Sequence, residues 1–265
     1  MSDRLIVTNG YRFRRVVTPA TEGTIGLPTG SVTAEEIRRI GPGGSFAAGP
    51  ERYYVLTQDL YDHLMYGLRR ETQIVYPKEA GYLLLRLDLG PGRRVGEAGA
   101  GSGALTAVLS RAVGTTGEVH AYEIDARRID LARRNLDLPG WFENVRFHHQ
   151  PLEDGIAERE LDAFFLDLER PWEALTAVQA ALRPSGHVGI VVPTMNQVTR
   201  TLEALDAGAF LPIEIVEILI RNYKLAAQRM RPRDRMVGHT GYLIFARSLT
   251  TAPDRCAEEA DLVDS

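Results

Sequence analysis

Cysteine is almost missing from this chain: of 265 residues one is cysteine, Cys256 near the C-terminus. That excludes an intramolecular disulfide and any metal site built on a cysteine cluster. Lysine is nearly as scarce, because all but two of the 31 basic residues, Lys78 and Lys224, are arginine. No apolar run approaches the roughly 20 residues that a membrane span requires. Met1-Ser2-Asp3-Arg4 is not a charged segment followed by an apolar one, so no secretory signal is expected. A cytoplasmic enzyme without membrane contact fits these absences. Internal repeats are lacking too. A net charge of −4 argues against a uniformly basic nucleic-acid binder.

What is present suits a globular protein with a substantial core, since 44% of residues are hydrophobic and 25% charged. The arginine excess has two readings. A GC-rich coding bias accounts for it, yet guanidinium forks also suit phosphate better than lysine does. Arginine clusters at Arg12/Arg14/Arg15, Arg69/Arg70 and Arg229/Arg231/Arg233/Arg235, so local RNA-binding patches remain compatible with the negative total.

Residues 1–70 read as a small β-rich domain. Leu5-Ile6-Val7, Tyr11-Arg12-Phe13 and Tyr53-Tyr54-Val55-Leu56 suggest short strands between turn-rich segments such as Gly41-Pro42-Gly43-Gly44. Asp59 offers an N-cap to a short helix through Leu68. Residues 71–248 then alternate in the α/β manner. Helices are expected over 79–87, 104–112, 126–135, 171–182 and 197–207. Strands are expected over 94–98, 118–122, 145–149, 161–166 and 186–192. A final pair, 212–220 and 239–246, would give the sheet an antiparallel end. Such alternation implies a parallel, Rossmann-like sheet with helices on both faces. Residues 249–265 form an acidic tail expected to be disordered.

Val95-Gly96-Glu97-Ala98-Gly99-Ala100-Gly101-Ser102-Gly103 is the most informative stretch. Glycines on alternate positions allow a tight strand-to-helix turn whose backbone N–H groups approach a ligand closely. Glu123, some twenty residues on, would end the next strand and accept hydrogen bonds from ribose hydroxyls. A plain surface acid is the alternative there. Gly99-x-Gly101-x-x-Ala104 also satisfies the relaxed dinucleotide fingerprint, so NAD stands beside S-adenosylmethionine (AdoMet). Glu97 favours AdoMet, because a carboxylate there would repel pyrophosphate but can help hold an amino group. Asp167 ends an apolar strand at the edge where such folds carry their sites, although it could instead cap the helix near Pro171.

These segments acquire a narrower meaning together. Thr72-Gln73-Ile74-Val75-Tyr76-Pro77-Lys78, the Glu97–Gly103 turn, Tyr122-Glu123, Phe165-Leu166-Asp167-Leu168 with Pro171-Trp172, Arg231-Pro232, and Met236-Val237-Gly238-His239-Thr240 span about residues 70–247. In this order the chain resembles the tRNA adenine-N1 methyltransferases that modify the T-loop adenosine at tRNA position 58. The resemblance implies the class I AdoMet-dependent fold with a small N-terminal β-domain, a tRNA substrate, S-adenosylhomocysteine as product, and a homotetramer. It implies Asp167 as catalytic aspartate. Gln73 and Val75 would close over the methionine end of AdoMet. Glu97, Gly99, Gly101, Ser102, Gly103, Ala104, Leu105 and Glu123 would form the central cradle. Arg128 would approach the polar end of the cofactor, or else lie on a solvated helix face. Gln150, Leu152 and Asp154 would lie at adenine, with Asp167 also against the cofactor. Tyr76, Trp172, Tyr223, Arg229, Arg231 and His239 would meet RNA by stacking or phosphate contact, although Val75 and Tyr76 also read as core and His239 as a packed histidine. Two departures stand out. Gly96 replaces a usual bulky apolar residue, which is expected to loosen strand packing, and Tyr223 stands where tryptophan is common. No metal is expected, since His148 and His149 are adjacent on a strand and point to opposite faces. Rival readings are a methyltransferase of another substrate, such as protein isoaspartate or a small molecule, and a non-catalytic tRNA-binding subunit.

Overall fold

Short, turn-bounded apolar runs at the N-terminus build an antiparallel sheet. The computed structural model describes residues 4–10, 12–18, 23–138 and 141–253, so Cys256 and the acidic tail from 254 on lie outside the described residues. The opening strands are β1 (Leu5–Thr8), β2 (Arg14–Val17), β3 (Thr24–Leu27) and β4 (Gly30–Thr33). A helix α1 (Ala34–Ile40) follows, then β5 (Ser45–Ala48) and β6 (Glu51–Thr57). Strand order β2-β1-β6-β5 makes one sheet, and β3 pairs with β4 in a separate hairpin. Val7, Val17, Ile25, Ile37, Tyr53 and Val55 form their common core. Of the strand expected at 11–13, Tyr11 lies outside the described residues, and Arg12 and Phe13 precede a strand that begins at Arg14. Asn9 and Phe13 close a turn, with Phe13 N–H donating to Asn9 Oδ1 at 2.8 Å, and Gly10 adopts φ +100°. Helix α1 carries a capping box, Thr33 with Glu36, which satisfies the N–H groups of both residues at the helix start.

Asp59 does cap a short helix, α2 (Leu60–Asp62), accepting from Asp62 N–H at 2.7 Å. The chain then winds through a wider turn over His63–Gly67. The second sheet follows in alternation: α3 (Pro77–Arg86), β7 (Arg94–Ala98), α4 (Ala104–Val113), β8 (Glu118–Glu123), α5 (Ala126–Leu136) and β9 (Val145–His149). After it come β10 (Leu161–Leu166), α6 (Leu175–Ala181), β11 (Leu182–Val192), α7 (Met195–Ala207), β12 (Phe210–Val216) and β13 (Tyr242–Ser248). Seven strands run in the order β12-β13-β11-β10-β7-β8-β9. The five from β11 to β9 are parallel, and β13 is antiparallel to β11 and β12. Central strands are buried on both sides, as helices on both faces require.

Several boundaries differ from the sequence expectation. The helix expected over 171–182 is a 3-10 turn at Pro171–Glu173 followed by α6, and Leu182 already belongs to a strand. That strand therefore begins four residues before Gly186. The final strands stop at Val216 and resume at Tyr242, leaving residues 217–241 as an arm.

Gly96 does not loosen the packing. A Cβ built there would fall 2.2 Å from the Phe164 ring, so that ring fills the space a bulkier neighbour would take. Phe164 is fully buried and stands opposite Gly96 across the β7–β10 pair. A large side chain on one strand answers a missing one on the next.

Candidate active site

Sheet order reverses between β7 and β10: β8 and β9 lie on one side of β7, and β10 and β11 on the other. At such a switch point the loops after neighbouring strands part and leave a crevice. A cleft of about 250 Å³ lies there, walled by residues 72–75, the glycine turn, the start of α4, Glu123, Arg128 and Asp167.

The turn's glycines have separate tasks. Gly99 adopts φ +88°, and a Cβ on it would come within 2.1 Å of the Asp167 backbone oxygen. Asp167 N–H donates to Ala98 O at 2.9 Å, so the ends of β7 and β10 are locked edge to edge. Gly103 adopts φ +81° and packs on Ala132 of α5, placing it behind the cleft rather than in its wall. Gly101 N–H points at Glu123 Oε2 at 3.0 Å.

Three carboxyl groups face this one space. Glu97 is buried and accepts a bond from Thr106 Oγ1 at 2.6 Å. Burial pushes its carboxyl up to about 8, against that bond, and the nearby charges of Asp167 and Glu123 push the same way. Glu123 is also buried, and its oxygens accept from the N–H groups of Gly101, Ile124 and Asp125. Arg128 stands 3.7 Å from Glu123, its side chain half-exposed. Asp167 opens into the cleft, yet the close walls strip enough water to raise its carboxyl to about 6, helped by Glu123. The capping alternative for Asp167 does not hold, since the turn at Pro171 starts from Arg170 without a side-chain cap bond. Nor is Glu123 a plain surface acid.

Apart from Gly103, the expected cofactor residues divide into three groups. Gln73, Val75, Glu97, Gly99, Gly101, Ser102, Ala104, Leu105, Glu123, Arg128 and Asp167 line the cleft together. Gln150 and Leu152 line an adjoining cavity of about 510 Å³ that shares Gly99, Glu123 and Arg128 with it. Asp154 is a correction: it is exposed and borders neither space, because the 3-10 turn Leu152–Asp154 presents Glu153 to that cavity instead. Sequence reading missed Asn135. Its buried side-chain amide bonds Arg69 N–H, Arg69 O and Ser102 O, tying residues 69–72 over the glycine turn. One Asn inside an amphipathic helix gives no signal for contacts so distant in sequence.

None of the expected RNA residues lines either cavity. Tyr76 OH donates to Gln73 Oε1 at 3.1 Å. Trp172 lies beneath the Arg200 guanidinium, 5.6 Å from the ring centre. Tyr223, Arg229 and Arg231 are exposed on the 217–241 arm, where Tyr223 bridges to Pro232. His239 sits at the foot of the arm, with ring nitrogens 2.6 Å from Glu217 Oε1 and 2.7 Å from Pro193 O. Those two acceptors, Glu217 first, raise its pKa. Lys78 and Thr240, from motifs 160 residues apart, meet on buried Glu79: Lys78 Nζ is 2.7 Å from Glu79 Oε1, and Thr240 Oγ1 donates to the same oxygen. Lys78 also holds Ile218 O. This cluster pins both ends of the arm to the start of α3.

A model of the family described as tRNA methyltransferase complex GCD14 subunit matches residues 54–235. The tRNA (adenine(58)-N(1))-methyltransferase TrmI of Thermus thermophilus is 36% identical over 234 residues, 88% of this chain and 91% of that protein. The tRNA (adenine(57)-N(1)/adenine(58)-N(1))-methyltransferase TrmI of Methanocaldococcus jannaschii is 31% identical, over 78% and 82% of the two chains. Among solved structures, a SAM-dependent O-methyltransferase from Thermotoga maritima matches with TM-score 0.89 and 36% identity, covering 96% of this chain and 95% of that one. The tRNA (m1A58) methyltransferase TrmI of Aquifex aeolicus matches with TM-score 0.83 and 32% identity, covering 94% and 98%.

Proposed function

This chain belongs to the tRNA methyltransferase family of the GCD14 subunit, and from that premise we propose how its cleft methylates N1 of adenosine 58 in the tRNA T-loop with AdoMet. The observation that carries the reading is three carboxyl groups, Glu97, Glu123 and Asp167, around one cleft at the switch point. Such a site suits a cationic ligand, beside which Glu97 gives up its proton, better than a pyrophosphate, which weighs against NAD.

AdoMet supplies an electrophilic methyl group on a sulfonium. The cradle suits it: a Cβ at Gly99 would close the space between the strand ends, and Gly101 leaves its N–H beside Glu123. Glu97 takes the amino group, with residues 73–75 over the methionine end. Glu123 keeps acceptor capacity for a ribose hydroxyl, since a carboxylate offers about four lone-pair sites and three backbone donors occupy it. Gln150 and Leu152 wall the adenine side. Arg128 stands between the two cavities rather than at the methionine end alone.

Asp167 is the catalytic residue in this reading. Adenine N1 already has a lone pair, so no strong base is needed to make the nucleophile. Methylation leaves positive charge on the ring, which the Asp167 carboxylate stabilises or relieves by taking a 6-amino proton. An alcohol acceptor would ask for a far stronger base than a carboxylate whose pKa is near 6. Positioning then contributes most of the rest. Transfer from a sulfonium requires no metal. Tyr76 and Trp172 stack on an extruded base, and the arm's Tyr223, Arg229 and Arg231 hold tRNA phosphates and bases, with His239 at its foot.

A homotetramer working in the cytoplasm completes the proposal. No helix among the described residues is long and apolar enough to cross a membrane. The edge strand β12 leaves Leu211, Ile213 and Ile215 exposed around a bulge between Pro212 and Glu214, apolar surface that an isolated chain would leave to aggregate. A second copy of the chain covers it. An intact Glu97–Gly103 turn and an open Asp167 argue against a non-catalytic subunit. The acceptor class is tested by incubating the chain and labelled AdoMet with unmodified tRNA transcript and with total protein. Label in tRNA is expected; label in protein with none in tRNA contradicts the proposal.

A further inference from the structure

Strands β8 and β9 carry a second constellation, on the sheet face opposite Glu123. His120 Nδ1 lies 3.2 Å from His148 Nε2 and 3.2 Å from Glu158 Oε1, and the last two atoms are 3.5 Å apart. These residues come from two neighbouring strands and from the segment before β10, and their three ligand-type atoms form a nearly equilateral triangle. We propose that His120, His148 and Glu158 bind a divalent transition metal, zinc above all, with solvent as fourth ligand.

The triangle has the size that such an ion requires. Tetrahedral bonds of about 2.0–2.1 Å put neighbouring ligand atoms about 3.3–3.4 Å apart. A hydrogen bond, by contrast, satisfies two of the three atoms along one line and leaves the third contact undirected. The surroundings match the outer shell of a metal site. Tyr122 OH donates to Glu158 Oε2, the carboxylate oxygen turned away from the triangle. Glu118 Oε2 faces the other nitrogen of His120 at 3.4 Å and is itself held by Arg94 Nε at 3.2 Å. A carboxylate on the non-ligating nitrogen is the usual means of fixing a ligand histidine's tautomer. The rings are set by stacking, with Tyr122 on His148 at 4.5 Å. Side chains of His120 and Glu158 are 6% and 12% exposed and that of His148 24%, so the cluster is enclosed but open on one side for entry and for a water.

The ion's role would be structural. Glu158 ends the segment whose start, 150–153, walls the adenine-side cavity, and Tyr122 lines that same cavity. A metal would therefore cross-link this wall to β8 and β9. Sequence spacing hides the site, because its ligands are 28 and 10 residues apart and converge only when the parallel strands pair.

The test uses the full chain, freed of metal by a chelator and dialysed. Titration with Co2+ is expected to give one equivalent per chain with the visible absorption of a tetrahedral ion. Zn2+ is expected to raise the melting temperature and to slow hydrogen exchange over residues 150–158. His148→Asn and, separately, Glu158→Gln should weaken Co2+ binding at least about tenfold. His149→Asn, on the opposite face, should leave it unchanged. No cobalt spectrum together with no zinc-dependent melting shift, or binding that survives both ligand variants, would overturn the proposal and leave a hydrogen-bonded triad.

Discussion

Asp167 and Glu97 are both carboxyls with raised pKa values, but their burial suits them to different work. Asp167 is open to the cleft, and its ordinary value rises to about 6. If its anion meets the ring charge, kcat/KM for tRNA should climb as pH rises through about 6 and then level. Asp167→Ala should abolish that limb and lower kcat by about 10²–10⁴-fold. AdoMet affinity, measured by calorimetry, should stay near the parental value. Turnover at the parental rate would remove Asp167 from the chemistry.

Glu97 is protonated at pH 7 in the free protein, since burial holds it at about 8. A cationic amino group beside it favours the anion, so AdoMet binding should release a proton at neutral pH. Calorimetry in buffers of different ionisation enthalpy reads that proton directly, and Glu97→Gln should lose it. The same shift has a stability sign. An acid whose folded pKa lies above its ordinary value of 4.5 binds its proton more tightly when folded, so it lowers stability progressively from about pH 4.5 to 8. Thermal melts of Glu97→Gln should therefore gain on the parent across that window, and an equal pH dependence in both proteins would contradict the assignment.

Between elements, the contact of β7 with β10 is the most exacting. Gly96→Val drives a side chain into the Phe164 ring and should destabilise by about 1–3 kcal/mol. Phe164→Leu alone should also destabilise, yet the double variant should recover much of the loss, giving a large coupling term in denaturant unfolding. Additive costs would mean that the two positions do not share one space. Most of the α/β alternation was legible from the sequence, because its strands are short apolar runs closed by Gly, Asp or Pro. The glycine turn, Glu123 and Asp167 were legible for the same reason: strand-end residues mark the edge of a parallel sheet. What stayed hidden depends on contacts between distant segments. Asn135 over the glycine turn, Phe164 against Gly96, and Glu79 joining Lys78 to Thr240 have no local period or spacing. Helix α1 was different, since Thr33-Ala34-Glu35-Glu36 carries a capping-box pattern that could have been read.

For the molecule as a whole, two surfaces remain to be covered, one by RNA and one by protein. The exposed apolar residues of β12 predict self-association: Ile213→Arg, at the bulge, should shift sedimentation toward smaller species without changing the melting of the isolated chain by much. A parental sedimentation profile would place the interface elsewhere. The arm at 217–241, pinned through Lys78 and Glu79 to the start of α3, would offer its aromatic and arginine side chains to tRNA. The most direct measurement is to map the methyl group on an unmodified tRNA transcript after incubation with AdoMet. Nucleoside analysis should yield N1-methyladenosine, with reverse transcription stopping at position 58 and a transcript carrying guanosine there losing that stop. A methyl group on another atom, or at another position with adenosine 58 untouched, would contradict the proposed function.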